Sequence, residues 1–403
     1  MKLSELSDIA FSQKEFAVGA DTGIERDLLP KLPELHSHAL VVVGIRRCGK
    51  STLVQQYVNK TGQDYFYMNF EDIRLSSFET EDYRLLDKLI KDSQCKLLFF
   101  DEIQNAPKWE LYIRQKLNER FRIVLTGSNA SMLSKELGTK LTGRHLEKEL
   151  FPFSYSEFLR WAKKKRSAES LDEYLQSGGF PEYLKVRDAD ILANLQNDIL
   201  YRDIAARYKL RNADSLRRLF SYLASNASQK ISPSKLISVC DVKSSTTVLE
   251  YLSYFESSFL IQIIPQFAWS LKAQSLAPKK VYISDLGLIQ VASLSFSKNL
   301  GALLENFVFN HLRLQTKELY YFSNSNSECD FIANPRKNPL CIQVCYDMNI
   351  DNQDREINGV FSALDFFNAK EGYILTRNSR DEIIKKGKTV HVLPAWEFTG
   401  IMF

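Results

Sequence analysis

The chain has 403 residues, 44% of them apolar and 25% charged, with 16 glycines and 11 prolines; this excludes a disordered, fibrous or small stapled scaffold and points to two or three domains in series. Its 53 basic and 49 acidic residues leave a net charge of +4, too weak by itself to argue for a polyanionic partner. Six cysteines lie scattered without CxxC pairs, so reduced thiols are expected rather than a disulfide framework.

In chain order, the first third alternates short apolar strands (39–43, 64–70, 97–100, 122–126) with amphipathic helices (50–60, 85–91, 109–118). That rhythm predicts an α/β domain over 1–152, a parallel sheet with helices on both faces. After Pro152 helical periodicity takes over (153–161, 171–176, 191–202) around a Gly178-Gly179-Phe180-Pro181 turn, which reads as a helical lid or adaptor over 153–212. Three short helices (215–224, 233–239, 246–255) and a β-like segment (259–265) give 213–298 the rhythm of a winged helix-turn-helix. From 299 to 403 a helix (303–315), strands (319–322, 329–333, 340–346), a helix (358–367) and strands (372–376, 389–393) form a further α/β domain. Two basic stretches stand out, with six basic residues against two acidic over 202–220 and five against none over 160–166; each reads as a solvated helix face or an anion contact. The apolar runs at 39–43 and 97–100 fall far short of the ~20 residues that cross a bilayer, and Glu5 and Asp8 stand where a secretory apolar region would sit, so a cytoplasmic protein with no membrane partner is expected.

The strand at 39–43 runs directly into Gly44-Ile45-Arg46-Arg47-Cys48-Gly49-Lys50-Ser51, which fits G-x-x-x-x-G-K-[ST] and opens a helix. Glycines there permit backbone conformations closed to other residues, so that successive amides form a concavity for phosphates at a helix N-terminus. The binding segment runs from Gly44 to Thr52. Lys50 is expected to add a cation to the β- and γ-phosphates, and the Ser51 hydroxyl to ligate Mg²⁺. Arg46 and Arg47 add positive potential or pair with the body of the domain. Cys48 is either an oxidisable thiol or a small residue tolerated beside the nucleotide.

Four apolar residues then carry Asp101 and Glu102 to the carboxyl end of a buried strand, where parallel sheets bind their ligands. Asp101 is expected to hold Mg²⁺ and Glu102 to polarise the attacking water as general base. The 122–126 strand leads to Gly127-Ser128-Asn129; Asn129, or alternatively Ser128, would reach the γ-phosphate or the water, or else merely cap a helix. Arg144, in Leu141-Thr142-Gly143-Arg144, is a candidate arginine finger for its own or an adjacent subunit, which would imply a homo-oligomer, or a partner of a surface acid.

These motifs, with Ile103-Gln104, Phe151-Pro152-Phe153-Ser154 and Gly178-Gly179-Phe180-Pro181-Glu182, resemble those of prokaryotic AAA-type ATPases, in which the ATPase module is followed by a winged-helix region and a C-terminal domain similar to PD-(D/E)XK nucleases. The resemblance implies ATP and Mg²⁺ as cofactors, ATP turnover, and C-terminal domains contacting DNA or protein. In the nuclease-like fold, a helical glutamate, a strand aspartate and an acid-x-lysine strand bind Mg²⁺. Glu305 and Asp330 fit the first two places, but Gln343-Val344-Cys345 stands where acid-x-lysine is expected. Glutamine is a weak ligand for a hard cation, and cysteine cannot replace the lysine. The expectation is therefore a degenerate, non-cleaving domain. Ser244, Ser245, Thr246 and Thr247 open the helix that would be the recognition helix, suited to phosphate or base-edge contacts. A slowly hydrolysing switch acting through protein contacts stays open as the alternative.

Overall fold

A computed structural model describes residues 1–129, 143–210, 212–294 and 299–401. The chain divides into two compact units, Met1–Phe151 with Ser257–Phe259, and Pro152–Glu256 with Leu260–Phe403.

The first unit opens with helix α1 (Leu3–Gly19) and then alternates β1 (Ala39–Val43), α2 (Lys50–Thr61), β2 (Tyr65–Asn69), α3 (Tyr83–Ser93), β3 (Leu97–Asp101), α4 (Trp109–Asn118), β4 (Arg122–Gly127) and β5 (His145–Glu149). The five strands form one parallel sheet in the order β2-β3-β4-β1-β5. Every residue of β1 and β3 is buried, because helices cover both faces of such a sheet and its inner strands lose their polar alternation. β5 escaped the sequence reading: His145-Leu146-Glu147-Lys148-Glu149 is a half-exposed edge strand, and edge strands carry charge where central ones cannot. The α1 helix was also unforeseen. Gln13 on its buried face donates to the Asn69 carbonyl (3.1 Å) and accepts from the Asn69 amide (2.8 Å), fixing the helix to the β2 terminus. The register pairs Val43 with Gly127 and Phe100 with Leu125. Consequently the loop after β1, the acids ending β3 and the polar residues after β4 emerge along one edge.

The second unit begins with α5 (Tyr155–Ala162), α6 (Ala168–Ser177), α7 (Pro181–Val186), α8 (Ala189–Asn197) and a π-helical continuation over Asp198–Ala206. The Gly178-Gly179 turn is required by close approach, since a Cβ on Gly179 would stand 2.1 Å from the Phe153 carbonyl oxygen. Next come α9 (Ala213–Ser225), β6 (Lys230–Ile231), α10 (Pro233–Cys240), α11 (Ser245–Ser257), β7 (Ile261–Pro265), α12 (Leu271–Leu276) and β8 (Lys279–Ile283). These strands make an antiparallel sheet in the order β6-β8-β7. After α13 (Leu286–Ala292) and α14 (Leu300–Arg313), a six-stranded mixed sheet runs β13-β14-β12-β11-β10-β9, built from β9 (Leu319–Ser323), β10 (Glu328–Ala333), β11 (Leu340–Val344), β12 (Glu371–Thr376), β13 (Asp381–Lys385) and β14 (Lys388–Pro394). Helix α15 (Gln353–Phe366) buries Val360, Ala363 and Leu364 with Ile342, Ile374 and Val392 of that sheet. A short α16 (Ala395–Phe398) follows.

Candidate functional site

The loop between β1 and α2 takes the conformations its glycines permit. Gly44 has φ +150° and Gly49 φ +99°, with Arg47 also left-handed at φ +60°. Gly44 has a second reason to lack a side chain: a Cβ would lie 2.1 Å from the Leu150 carbonyl oxygen just past β5. Beneath the loop sits Arg26, only 3% exposed, donating to the carbonyls of Cys48 (2.9 Å) and Phe151 (2.7 Å). Nothing in the sequence pattern singled it out. Cys48 is buried with its thiol 3.4 Å from the Leu150 carbonyl; burial pushes its pKa up despite nearby Lys50 and Arg26, which favours the packing reading over the oxidisable one. Arg46 pairs with Glu71 at 2.7 Å.

Lys50 begins α2 and its Nζ donates to the carbonyls of Gly44 (3.2 Å) and Ile45 (3.3 Å), while standing 3.3 Å from Glu102 Oε1. Burial, the largest single influence, presses the lysine pKa down, but the charges of Glu102, Cys48 and Asp101 together outweigh it and the net direction is upward. The carboxyl of Glu102 responds in the complementary sense: burial raises it, Lys50 with the Gln104 and Ser128 hydrogen bonds and the Arg46 charge together overcome this, and it ends below its usual range. Glu102 itself is left-handed, φ +48°. Its amide donates to Thr126 Oγ1 (2.9 Å), and Gln104 Nε2 donates to its Oε2 (2.5 Å) and to Ser128 Oγ (3.4 Å). Asp101 is 2% exposed and accepts from the Thr126 hydroxyl, from Tyr67 OH at 3.2 Å and from the Ser51 side chain. Burial, then the neighbouring Glu102 charge, raises its pKa. Thr52 lies half-buried in the first turn of α2, and Ser128 and Asn129 are buried at the end of β4. The fold thus gathers Gly44 to Thr52, Asp101, Glu102, Ser128 and Asn129.

Arg144 does not join them. It precedes β5, whose His145 pairs with Ala39 at the amino end of β1, whereas Gly44 follows the carboxyl end. Five parallel residues at about 3.3 Å each put roughly 16 Å between them, so a reach to the phosphate loop of its own chain is contrary to the topology. There its guanidinium donates to Asn118 Oδ1 at 2.9 Å. Leu141 and Thr142 of the same motif lie outside the described residues, as does Arg211 of the basic stretch.

Glu305 and Asp330 are brought together in the second unit, and both meet Lys280 of β8, a strand the sequence reading left unassigned. Gln343 lies beside them, its carbonyl oxygen accepting from the Asp330 amide (3.1 Å) and its amide donating to Glu356 Oε2 (2.6 Å). Among the described residues no group of three or more His, Cys, Asp or Glu is arranged to hold a metal ion, and no helix is long and apolar enough to cross a membrane. All six cysteines are buried free thiols.

Residues 36–159 match the family model of an AAA domain, an ATPase-type module, while residues 168–299 and 300–398 match models of two domains of unknown function. Among curated proteins, the chain is 33% identical to the uncharacterized protein MJ1544 of Methanocaldococcus jannaschii, over 93% of this chain and 91% of that one. It is 30% identical to an uncharacterized protein of Haemophilus influenzae, over 76% of this chain and 82% of that one.

Proposed function

The chain belongs to the family of these Methanocaldococcus and Haemophilus proteins, headed by an AAA domain, and from that premise we propose that it binds and hydrolyses ATP with Mg²⁺ and transmits the nucleotide state to its C-terminal domains. The observation that carries this reading is the buried Lys50–Glu102 pair at the mouth of a glycine-bounded loop. The residues fit the absent groups: left-handed glycines open a concavity at the start of α2, Lys50 already satisfies carbonyl oxygens there, and the buried Asp101 holds the Ser51 side chain as a ready oxygen pair for a hard cation.

Bound Mg²⁺ would supply neutralisation of charge on the transferred phosphoryl group. Ser51 and Asp101 would hold it, and the amides from Gly44 to Thr52 would cradle the phosphates. Lys50 would leave its own loop carbonyls for phosphate oxygens. Glu102, kept ionised by Lys50 and oriented by Gln104, would accept the proton of the attacking water, with Asn129 or Ser128 positioning that water. Arg144 is assigned to a neighbouring subunit's site, since its own loop is out of reach.

The domain division proposed is an ATPase domain over 1–152, a helical adaptor over 153–212, a winged-helix-like domain over 213–298 and a degenerate nuclease-like domain over 299–403. The order α9, β6, α10, α11, β7, α12, β8 with sheet order β6-β8-β7 supports the third, and DNA is its proposed partner. The deciding experiment is calorimetric titration of ATP with Mg²⁺, followed by a phosphate-release assay with and without DNA. Absence of ATP binding defeats the reading, and cleavage of DNA abolished by Asp330→Ala defeats its non-nuclease part.

A further inference from the structure

Three carboxylates of the C-terminal half converge on one ammonium. Lys280 Nζ lies 2.8 Å from Asp330 Oδ1, 3.0 Å from Glu305 Oε1 and 3.1 Å from Glu328 Oε1, with its side chain 5% exposed. An ammonium has three hydrogens to donate, and here each meets an acceptor. Each acid also meets a second donor of the fold, at its other oxygen in Asp330 and Glu328 and at the same oxygen in Glu305. Asp330 Oδ2 accepts from the Val344 amide (2.9 Å), Glu305 Oε1 also accepts from Tyr282 OH (2.8 Å), and Glu328 Oε2 pairs with Lys230 (2.5 Å). A divalent ion bound by these acids would need their oxygens within about 2.0–2.6 Å of one point, the space that Nζ fills.

The placement of the lysine is specific. It arrives from β8, the central strand of the three-stranded sheet, while the acids stand on α14 and β10. The seam is reinforced where the Phe267 amide donates to the Tyr321 carbonyl (2.7 Å) and Gln266 Nε2 to the Ser323 carbonyl (2.7 Å). Burial presses Lys280 toward its neutral form, yet Asp330 and the other charges hold its pKa well above the usual value. Burial also pushes the Glu305 carboxyl up to about 8, with the Asp330 charge adding to it.

We propose that the Lys280 ammonium is the resident cation of this carboxylate cluster, standing where a divalent metal would otherwise sit and converting the cluster into an ion-paired joint between the β6-β8-β7 sheet and the C-terminal sheet. The substitution of Gln343 for an acid then has a physical reason. A fourth carboxylate beside Asp330 would add a negative charge that a monovalent ammonium cannot balance, whereas the glutamine amide satisfies Asp330 and Glu356 without charge. The joint stands independently of ATP turnover in the first domain.

The test is Mn²⁺ binding to the full chain without nucleotide, followed by electron paramagnetic resonance. Wild type and Asp330→Asn should take up equal amounts of Mn²⁺. Lys280→Met, which removes the ammonium and lets Glu305 and Glu328 close in, should gain one ion per chain, lost again in the Lys280→Met/Asp330→Asn double variant. Uptake by the wild type that depends on Asp330, or no gain in a folded Lys280→Met chain, overturns the proposal. Should Lys280→Met fail to fold, the wild-type and Asp330→Asn pair decides, equal uptake supporting the proposal and unequal uptake refuting it.

Discussion

Lys50 Nζ stands 3.3 Å from Glu102 Oε1, with side chains only 3% and 13% exposed. The two groups set each other's ionisation: the lysine holds the glutamate below its usual pKa, and the glutamate keeps the lysine charged despite burial. Lys50→Ala therefore removes the phosphate cation and also strands a buried carboxylate, a change of about 3 kcal/mol or more. The expected outcome is loss of ATP binding by calorimetry. Glu102→Gln keeps the shape and the Gln104 contact but cannot take a proton, so binding should persist while turnover falls by about 10²–10⁴. Turnover at the wild-type rate in Glu102→Gln would sink the general-base role.

Gly44 offers a sharper test of the loop. Its φ of +150° is disfavoured for any side chain, and the Cβ of Gly44→Ala would press 2.1 Å from backbone oxygen of Leu150. Strand and loop must separate, at a cost of about 3 kcal/mol, with nucleotide binding lost. Gly62→Ala is the control, also left-handed at φ +63° but with open space around it; it should cost about 1 kcal/mol and leave binding intact. Thermal melts and ATP titration of both variants distinguish steric from torsional strain, and equal losses would refute the close-approach argument.

The loop, the two acids and the central strands were legible in sequence because their signals are local: a glycine spacing, an apolar run, an acid at its end. Arg26 was illegible, since its acceptors are the carbonyls of Cys48 and of Phe151, 125 residues away, and no pattern marks a backbone acceptor. Arg144 has a motif's letters, but its position at the amino end of β5 depends on that charged edge strand pairing with β1. Lys280 is the plainest case. The acid-x-lysine strand lacks its lysine, and the cation meeting Asp330 comes from 50 residues upstream, on a strand whose first two residues are both lysines and so break the apolar alternation that marks strands.

A pH dependence follows from His311 on α14. Burial, aided by the charge of Arg166, lowers its pKa to about 4 from the usual 6.5, and its ring meets Phe398 edge-on at 6.0 Å. A base whose folded pKa is depressed contributes stability that is full above 6.5 and is lost as pH falls from 6.5 through 4. The contribution is on the order of 3 kcal/mol. Melting temperatures across that window should fall more steeply for wild type than for His311→Asn, and parallel slopes would exclude this histidine as the cause.

The start of α11 is where the proposed DNA partner can be tested against a protein one. Lys243, Ser245 and Thr246 are exposed there, but Ser244 Oγ accepts from the Thr247 amide (3.3 Å), so that hydroxyl caps its own helix rather than facing outward. Glu250 is exposed one turn further on and would repel a phosphate backbone. Only the first turn is therefore suited to DNA, and contacts there should be few and mostly to phosphate. Affinity measured by fluorescence anisotropy should fall with salt, on a shallow slope set by those few phosphate contacts, and Lys243→Ala should reduce the slope of log affinity against log salt by about 1 while weakening all sequences alike. Binding that ignores salt, or a slope unchanged by Lys243→Ala, would turn the assignment toward a protein partner, because counterion release is unavoidable when a lysine neutralises a phosphate.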